Sequence, residues 1–419
     1  MYKVITVISD FVFIYPLSMS IVWILGGWLF YWRRERGQQH VPPTLDHYER
    51  FSILVPAHNE VGQIEATVER LLALNYPDYE IIVADDGSTD GTTELLHRLC
   101  GQHERLRAVY MAHNGGKAAA LNAACAVSRG DYILTIDADA QLEPDALRWM
   151  AYNFQQSPRV GAVTGNPRVL NRTTLLAKIQ TVEFATIIGL IKRAQRAPLG
   201  KVMTVSGVIA AFRKQALVDV GMWDTHMATD DIDISWRLQR RFWEIRYEPH
   251  AIIWMLVPES LSELWHQRLR WSLGGVEVLK KNADIWKDWK QRRLYPVYLE
   301  SATSIVWAYC LWLIVALRAL QLGADFFLGV EFGRGSNPMW VGATLTLVCI
   351  VMFLTSLILD DAYERRMLRY FFWVIWYPIA YWLINASTVV IGFAKVMLRK
   401  KGAKGQGVWK SPDRGISDG

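Results

Sequence analysis

Cysteine is scarce in this chain. Four thiols, Cys100, Cys125, Cys310 and Cys349, are spread over 419 residues. They share no metal-like spacing, so neither a disulfide scaffold nor a zinc module is expected. The Walker pattern is missing, which sets aside nucleotide hydrolysis of the P-loop kind. Internal repeats and low-complexity segments are missing too. Charged residues make up only 21%, with a net charge of +6. That balance calls for no nucleic acid, because much of the basic excess flanks apolar runs, where anionic lipid attracts it.

Apolar residues are what the chain has in plenty: 52% are hydrophobic, with 19 Trp. This is too apolar for a plain soluble enzyme and too charged for a wholly membrane-embedded protein. A soluble domain plus spans is expected, and the length suits two or three units. The charge-free run Phe11 to Trp32 is long enough to cross a bilayer. Arg33, Arg34 and Arg36 follow it, so the positive-inside rule puts the N-terminus outside and residue 33 onward in the cytoplasm. The basic cluster lies on the wrong side for a cleaved signal peptide.

Three more apolar runs are Ser301 to Leu317, Pro338 to Leu359 and Tyr370 to Ala394. "DDAYERRMLR" between the last two reads as cytoplasmic, and "GADFFLGVEFGRGSNP" as periplasmic or extracellular. Four spans would leave the tail outside, yet Lys395, Arg399, Lys400, Lys401 and Lys404 favour the inside. Pro378 offers a place where the last run could bend into a re-entrant segment.

Between residues 50 and 250, short apolar strands alternate with helical patterns. "FSILVPA", "EIIVADD", "LRAVYMA", "DYILTIDAD" and "RVGAVTG" read as strands of a largely parallel sheet with helices on both faces. Ligands bind beyond the carboxyl ends of such strands. Those ends carry Pro56-Ala57-His58-Asn59-Glu60, Asp85-Asp86-Gly87-Ser88 and Asp137-Ala138-Asp139.

Asp85 and Asp86 also suit a turn with an N-cap, for local reasons. Asp137 and Asp139 are harder to explain structurally. Alternation aims both to one side of a strand, and two like charges there need a cation. A hard divalent ion takes carboxylates together with substrate phosphates. Lys117 opens a helix after two glycines, where an anion is favoured; a simple capped helix with an exposed lysine is the plainer reading. In "HMATDDIDISW", Asp231 and Asp233 point apart if the segment is helical. Thr229 or Asp230 suits the N-cap and Asp233 the first turn, which leaves Asp231 to project into a cleft. "LSELWHQRLRWSLGG" reads as an interfacial helix, but that does not account for Gln267, Arg270 and Trp271 packed so closely.

Together these clusters resemble the processive family 2 glycosyltransferases, the membrane synthases of cellulose, chitin and hyaluronan. The matching motifs are Asp86, Asp137-Ala-Asp139, Thr229-Asp230-Asp231 and Gln267-Arg-Leu-Arg270-Trp271. The family's usual Thr-Glu-Asp is Thr-Asp-Asp here. Further stretches, including "RVGAVTGNPRV", "IIGLIKRAQR", "VSGVIAAFRK" and "WKSPDRG", are similar to the branch that makes poly-β-1,6-N-acetyl-D-glucosamine, a biofilm polysaccharide. Members often carry a second N-terminal apolar segment; this chain shows one.

The resemblance implies a GT-A-like (Rossmann-like) α/β domain in the cytoplasm and an inverting transfer from UDP-N-acetylglucosamine to a growing, exported chain. The expected layout is an N-terminal span over 1–37, the glycosyltransferase domain over 38–258 and interfacial helices over 259–296. Three C-terminal spans over 297–396 and a basic tail over 397–419 complete it. Asp231 would be the base. Pro56, Ala57, Glu60, Asp86 and Lys117 would line the uridine pocket. Asp139 would hold Mg²⁺ or Mn²⁺, with Asp137 near the ribose or phosphates, and Arg270 would meet the diphosphate. Ser206, Gly207, Gln267 and Trp271 would serve the acceptor. The resemblance also implies the bacterial inner membrane, contact with its lipid, a small membrane partner subunit and activation by cyclic di-GMP. Rival readings are a synthase of the chitin, hyaluronan or cellulose type and a non-processive transferase acting on a lipid carrier. A membrane scaffold with a degenerate nucleotide domain would have lost carboxylates that are all present.

Overall fold

The computed structural model of the chain describes residues 2–38, 40–328, 338–374 and 377–399. Helix α1 (Tyr2–Phe30) widens into a π-turn over Tyr31–Glu35. The α/β domain then opens with β1 (Phe51–Ala57), α2 (Ile64–Leu72), β2 (Tyr79–Asp85), α3 (Thr92–Gln102), β3 (Leu106–Tyr110), α4 (Lys117–Val127) and β4 (Tyr132–Ile136). β1, β2 and β4 are buried along their whole length, as continuous apolar runs covered on both faces should be. Their alternate residues feed two cores. Ile53, Val55, Ile81 and Val83 pack on α2 and α3, whereas Leu54, Ile82 and Ala84 pack on α4.

The sheet continues past β4 with β5 (Gln141–Leu142), α5 (Ala146–Gln155) and β6 (Val160–Val169). A long helical excursion follows: α6 (Leu175–Phe184), a π-turn over Ala185–Leu190, and α7 (Ile191–Leu199). The chain returns through β7 (Ile209–Arg213), α8 (Lys214–Asp219), α9 (Asp230–Arg240) and β8 (Glu244–Met255). The strand order is β3-β2-β1-β4-β7-β6-β8-β5. β3, β2, β1 and β4 are parallel, but β7 runs antiparallel to both β4 and β6, and β5 antiparallel to β8. The sheet is therefore mixed rather than largely parallel. β7 enters from the α6–α7 excursion at the opposite end of the sheet and must run the other way.

Helix α10 (Leu261–Lys281) starts where the Ser260 hydroxyl accepts the Glu263 N–H at 3.3 Å, a capping arrangement that fits Ser-x-x-Glu. The last helices are α11 (Tyr295–Leu328), α12 (Pro338–Asp360) and α13 (Tyr377–Leu398). Among the described residues, four segments are long and apolar enough to cross a membrane: Lys3–Glu35, Tyr295–Gln321, Ala343–Asp360 and Tyr381–Leu398. The last apolar run is divided. Met367–Val374 is a 3₁₀ helix, and Pro378 sits in the first turn of α13, where its missing N–H costs nothing. Residues 329–337, within the stretch read as extracytoplasmic, lie outside the described residues. So do 400–419, with Lys400, Lys401, Lys404 and "WKSPDRG".

Buried charges join the spans to the domain. Arg193 on α7, fully buried, donates to Glu35 at the end of α1 (2.6 Å) and to Asp360 at the end of α12 (2.8 Å). Asp360 also accepts from Arg168 on β6 at 2.9 Å. Beside them Arg172 donates to Glu364 at 3.0 Å. The "DDAYERRMLR" segment therefore lies on the α/β-domain side. Helix α13 runs along α10: Arg399 pairs with Glu277 at 2.8 Å, and a Cβ on Gly392 would sit 3.0 Å from Ser272.

Candidate active site

A cavity of about 1030 Å³ opens beyond the carboxyl ends of the strands and continues between the long apolar helices. At one end it is lined by Glu60, Gly115, Gly116, Lys117, Asp137 and Asp139. Its middle is lined by Ser206, Gly207, Asp230, Asp231, Gln267, Arg270 and Trp271. Its far end reaches Tyr15, Trp23, Glu300, Trp307 and Trp382. Pro56, Ala57 and Asp86 do not line it.

Asp86 is fully buried, and both its oxygens are taken by backbone. The Gly115 and Gly116 N–H groups donate to Oδ1 and Oδ2, each at 2.7 Å. The carboxylate thus holds the turn that starts α4. Gly116 there has φ +86°, a conformation a side chain would resist. Asp85 is structural as well: it accepts the Ser88 N–H at 3.0 Å and the Thr93 hydroxyl.

Lys117 donates to Asp137 at 2.5 Å and to the Gly207 carbonyl at 3.0 Å. Burial works against its charge, but Asp137 and Asp230, with Asp231, outweigh it and hold the amine above the usual lysine range. Asp137 and Asp139 stand on a turn just past β4, closed by Ala140 N–H to Asp137 O at 3.1 Å.

The three aspartates of "HMATDDIDISW" separate as helical parity requires. Thr229 is the N-cap residue of α9, Asp230 its first residue, and Asp231 projects into the cavity. Asp231 accepts the Ile232 N–H at 2.9 Å and lies against Gly207, where a Cβ would come 3.1 Å from Oδ2. Enclosure, then repulsion from Asp230, pushes its carboxyl up to about 6, against the pull of Lys117. Asp233 turns the other way. It is fully buried and pairs with Arg237 at 2.6 Å and with Lys281 on α10 at 2.7 Å.

The Thr229 hydroxyl makes no cap bond. It is wedged against α10 instead, where a Cβ on Gly274 would fall 2.0 Å from its oxygen. On α10, Gln267, Arg270 and Trp271 face the cavity. Arg268 between them is buried, donates to Glu183 on α6 at 2.6 Å, and lies 4.3 Å from the Trp271 ring centroid.

Sequence reasoning missed part of this wall. Lys192 on α7, 4% exposed, lines the cavity and donates to Thr164 at 3.0 Å. Its only signal was a lysine in "IIGLIKRAQR", which also fits an interfacial helix. Glu300 on α11 accepts from Trp23 and from Gln195, each at 3.0 Å.

Residues 49–274 match the family described as glycosyltransferase like family 2. The chain is 41% identical over 411 residues to the poly-β-1,6-N-acetyl-D-glucosamine synthase of Staphylococcus aureus, covering 97% of this chain and 98% of that one. The chain belongs to glycosyltransferase family 2. The synthase of the same name from Staphylococcus epidermidis is 39% identical over 417 residues, again covering 97% and 98%. Among solved structures, this family 2 glycosyltransferase is similar in fold to a mannosyltransferase from Pyrobaculum calidifontis in complex with GDP-mannose and Mn²⁺. The TM-score is 0.61 at 21% identity, over 92% of this chain and 99% of that one.

Proposed function

We propose that this glycosyltransferase polymerises N-acetylglucosamine from UDP-N-acetylglucosamine into an exported β-1,6-linked chain, at the inner membrane of a bacterium. The observation that carries this reading is one cavity lined by Asp137 and Asp139, by Asp231, and by residues of the long apolar helices. Identity to named synthases over nearly the whole chain supports the choice of sugar and linkage.

Asp231 acts as general base. It removes a proton from the acceptor hydroxyl, whose oxygen attacks the anomeric carbon from the face opposite UDP. Such help is typically worth about 10²–10⁴-fold. Arg270 donates to the diphosphate. Trp271 presents its ring face to the acceptor sugar, with Gln267, Ser206 and Gly207 around it. Glu60, Lys117 and the Asp86-ordered Gly115-Gly116 turn lie at the nucleotide end, and Pro56 and Ala57 shape the strand end behind it.

Among the described residues no three acidic, His or Cys side chains converge as a metal cage; Asp137 and Asp139, on the turn past β4 and on the cavity, are the oxygen donors that suit a hard divalent cation taken together with substrate phosphates. Asp139, with Asp137 nearby, would hold Mg²⁺ or Mn²⁺. When bound, the ion supplies Lewis-acid stabilisation of the leaving diphosphate. The spans form the exit path. A small membrane partner subunit and activation by cyclic di-GMP belong to this reading through the family resemblance.

Membranes carrying the protein, given UDP-N-acetylglucosamine and Mg²⁺, should yield a polymer that a β-1,6-specific hexosaminidase degrades. EDTA should stop synthesis. Asp231→Asn should abolish polymer while UDP still binds; synthesis by that variant would remove Asp231 from the role.

A further inference from the structure

Lys192 is a buried amine on the cavity wall. Its hydrogen bond goes to the Thr164 hydroxyl at 3.0 Å, and Asp231 is the carboxylate whose charge bears on it. Thr164 Oγ1 also accepts the Ser206 N–H at 2.8 Å, so both its lone pairs are engaged. The amine is thereby fixed beside the Ser206-Gly207 loop with N–H groups still to place. A buried donor facing a cavity calls for an acceptor on the occupant.

Two features narrow that acceptor. Lys192 is tied through Thr164 to the Ser206 N–H, on the loop assigned to the acceptor, whereas Lys117 holds Asp137 as well as the Gly207 carbonyl. Lys192 therefore stands with the acceptor loop and, among the described residues, makes no contact with the Asp137 end. On the N-terminal side of Lys192 the wall is apolar, with Phe184, Ile187, Ile188 and Ile191 lining the same cavity; Gln195, on the other side, is taken up by Glu300. An N–H donor beside an apolar wall fits an acetamide: the carbonyl takes the donor and the methyl packs on the isoleucines.

We propose that Lys192 reads the 2-acetamido group of the acceptor sugar and so selects N-acetylated chains for extension. This rests on the acceptor being an N-acetylhexosamine polymer. Burial brings the amine down to about 7, so both its charged and neutral forms are present at neutral pH, and both keep N–H donors. A de-N-acetylated unit would lose the carbonyl and the methyl and set an ammonium against the Lys192 charge.

The test uses the full chain in lipid vesicles, with UDP-N-acetylglucosamine as donor and two primers. One is a β-1,6-linked N-acetylglucosamine oligomer, and the other is its de-N-acetylated counterpart. The native chain should prefer the acetylated primer by roughly tenfold or more in kcat/KM, since a site built to hydrogen-bond a group rejects the analogue lacking it. Lys192→Met should raise the KM for acetylated primer and bring the preference to within about twofold, leaving the KM for UDP-N-acetylglucosamine unchanged. Lys192→Arg should keep part of the preference. Equal losses on both primers, or a raised KM for the nucleotide sugar alone, would overturn the assignment. Should Lys192→Met fail to fold, Lys192→Leu, equally without a donor, decides by the same ratio. A native chain that polymerises without primer preference sinks this inference alone. One that makes no polymer from UDP-N-acetylglucosamine sinks the functional reading beneath it.

Discussion

Asp231 owes its chemistry to two neighbours of opposite sign. Enclosure and Asp230 raise its pKa to about 6, while Lys117 pulls it down. A base works only when ionised, so the rate of transfer should hold above about pH 6 and fall about tenfold per unit below it. Asp230→Asn removes the like charge and should move that midpoint down, toward the ordinary aspartate value of about 3.9. A pH–rate profile of polymer synthesis checks both; an unmoved midpoint would show that enclosure alone sets it. At this scale the sequence was informative where local geometry decides. Parity along a helix separates Asp231 from Asp233, and strand ends place Asp137 and Asp139. It was silent where the partner comes from afar. Nothing local says that Asp86 spends both oxygens on the Gly115 and Gly116 amides, some thirty residues on. Nothing local distinguishes Lys192, which faces the cavity, from Arg193, which faces Glu35 and Asp360.

Helices α9 and α10 carry the proposed base Asp231 and the proposed acceptor platform, and their approach is set by a threonine seated on a glycine. A Cβ at Gly274 would lie 2.0 Å from Thr229 Oγ1 and 2.6 Å from its Cβ. Gly274→Ala should therefore push the two helices apart, destabilising the protein by about 1–3 kcal/mol. Polymer synthesis should drop more than UDP binding, because Asp231 and Trp271 lose register while the nucleotide end is untouched. Thr229→Ala in the same chain relieves the oxygen contact but not the Cβ contact, so recovery should be partial. Thermal unfolding and product yield read the two effects separately. The same helix is held from behind by Arg268 and Glu183; such a pair costs about 3–5 kcal/mol when one partner is removed. Element type was legible for β1 to β4 and β6, whose apolar runs are long or continuous. β7 was not: "IAAFR" is short, and its direction is fixed by the α6–α7 excursion rather than by its own residues.

The whole molecule is tied at one junction, where Arg193 joins the ends of α1 and α12 to each other and, through Asp360, to β6. The end of α13 returns to the domain as well, with Arg399 on Glu277 of α10. This favours a tail on the catalytic side and meets the demand of its basic residues. An epitope placed after Gly419 should resist protease added to intact spheroplasts and become sensitive on lysis; digestion in intact spheroplasts would put the tail outside. The far end of the cavity has a consequence for how the protein is made. Tyr15 and Trp23 form one wall, and Trp382 and Asn385 form another. The ribosome delivers the first wall early and the other near the finish of synthesis. The nucleotide end folds in between, before any passage through the membrane exists. The last helix to emerge completes the far wall of the cavity, so a chain ended before Trp382 would keep the nucleotide end and lack that wall.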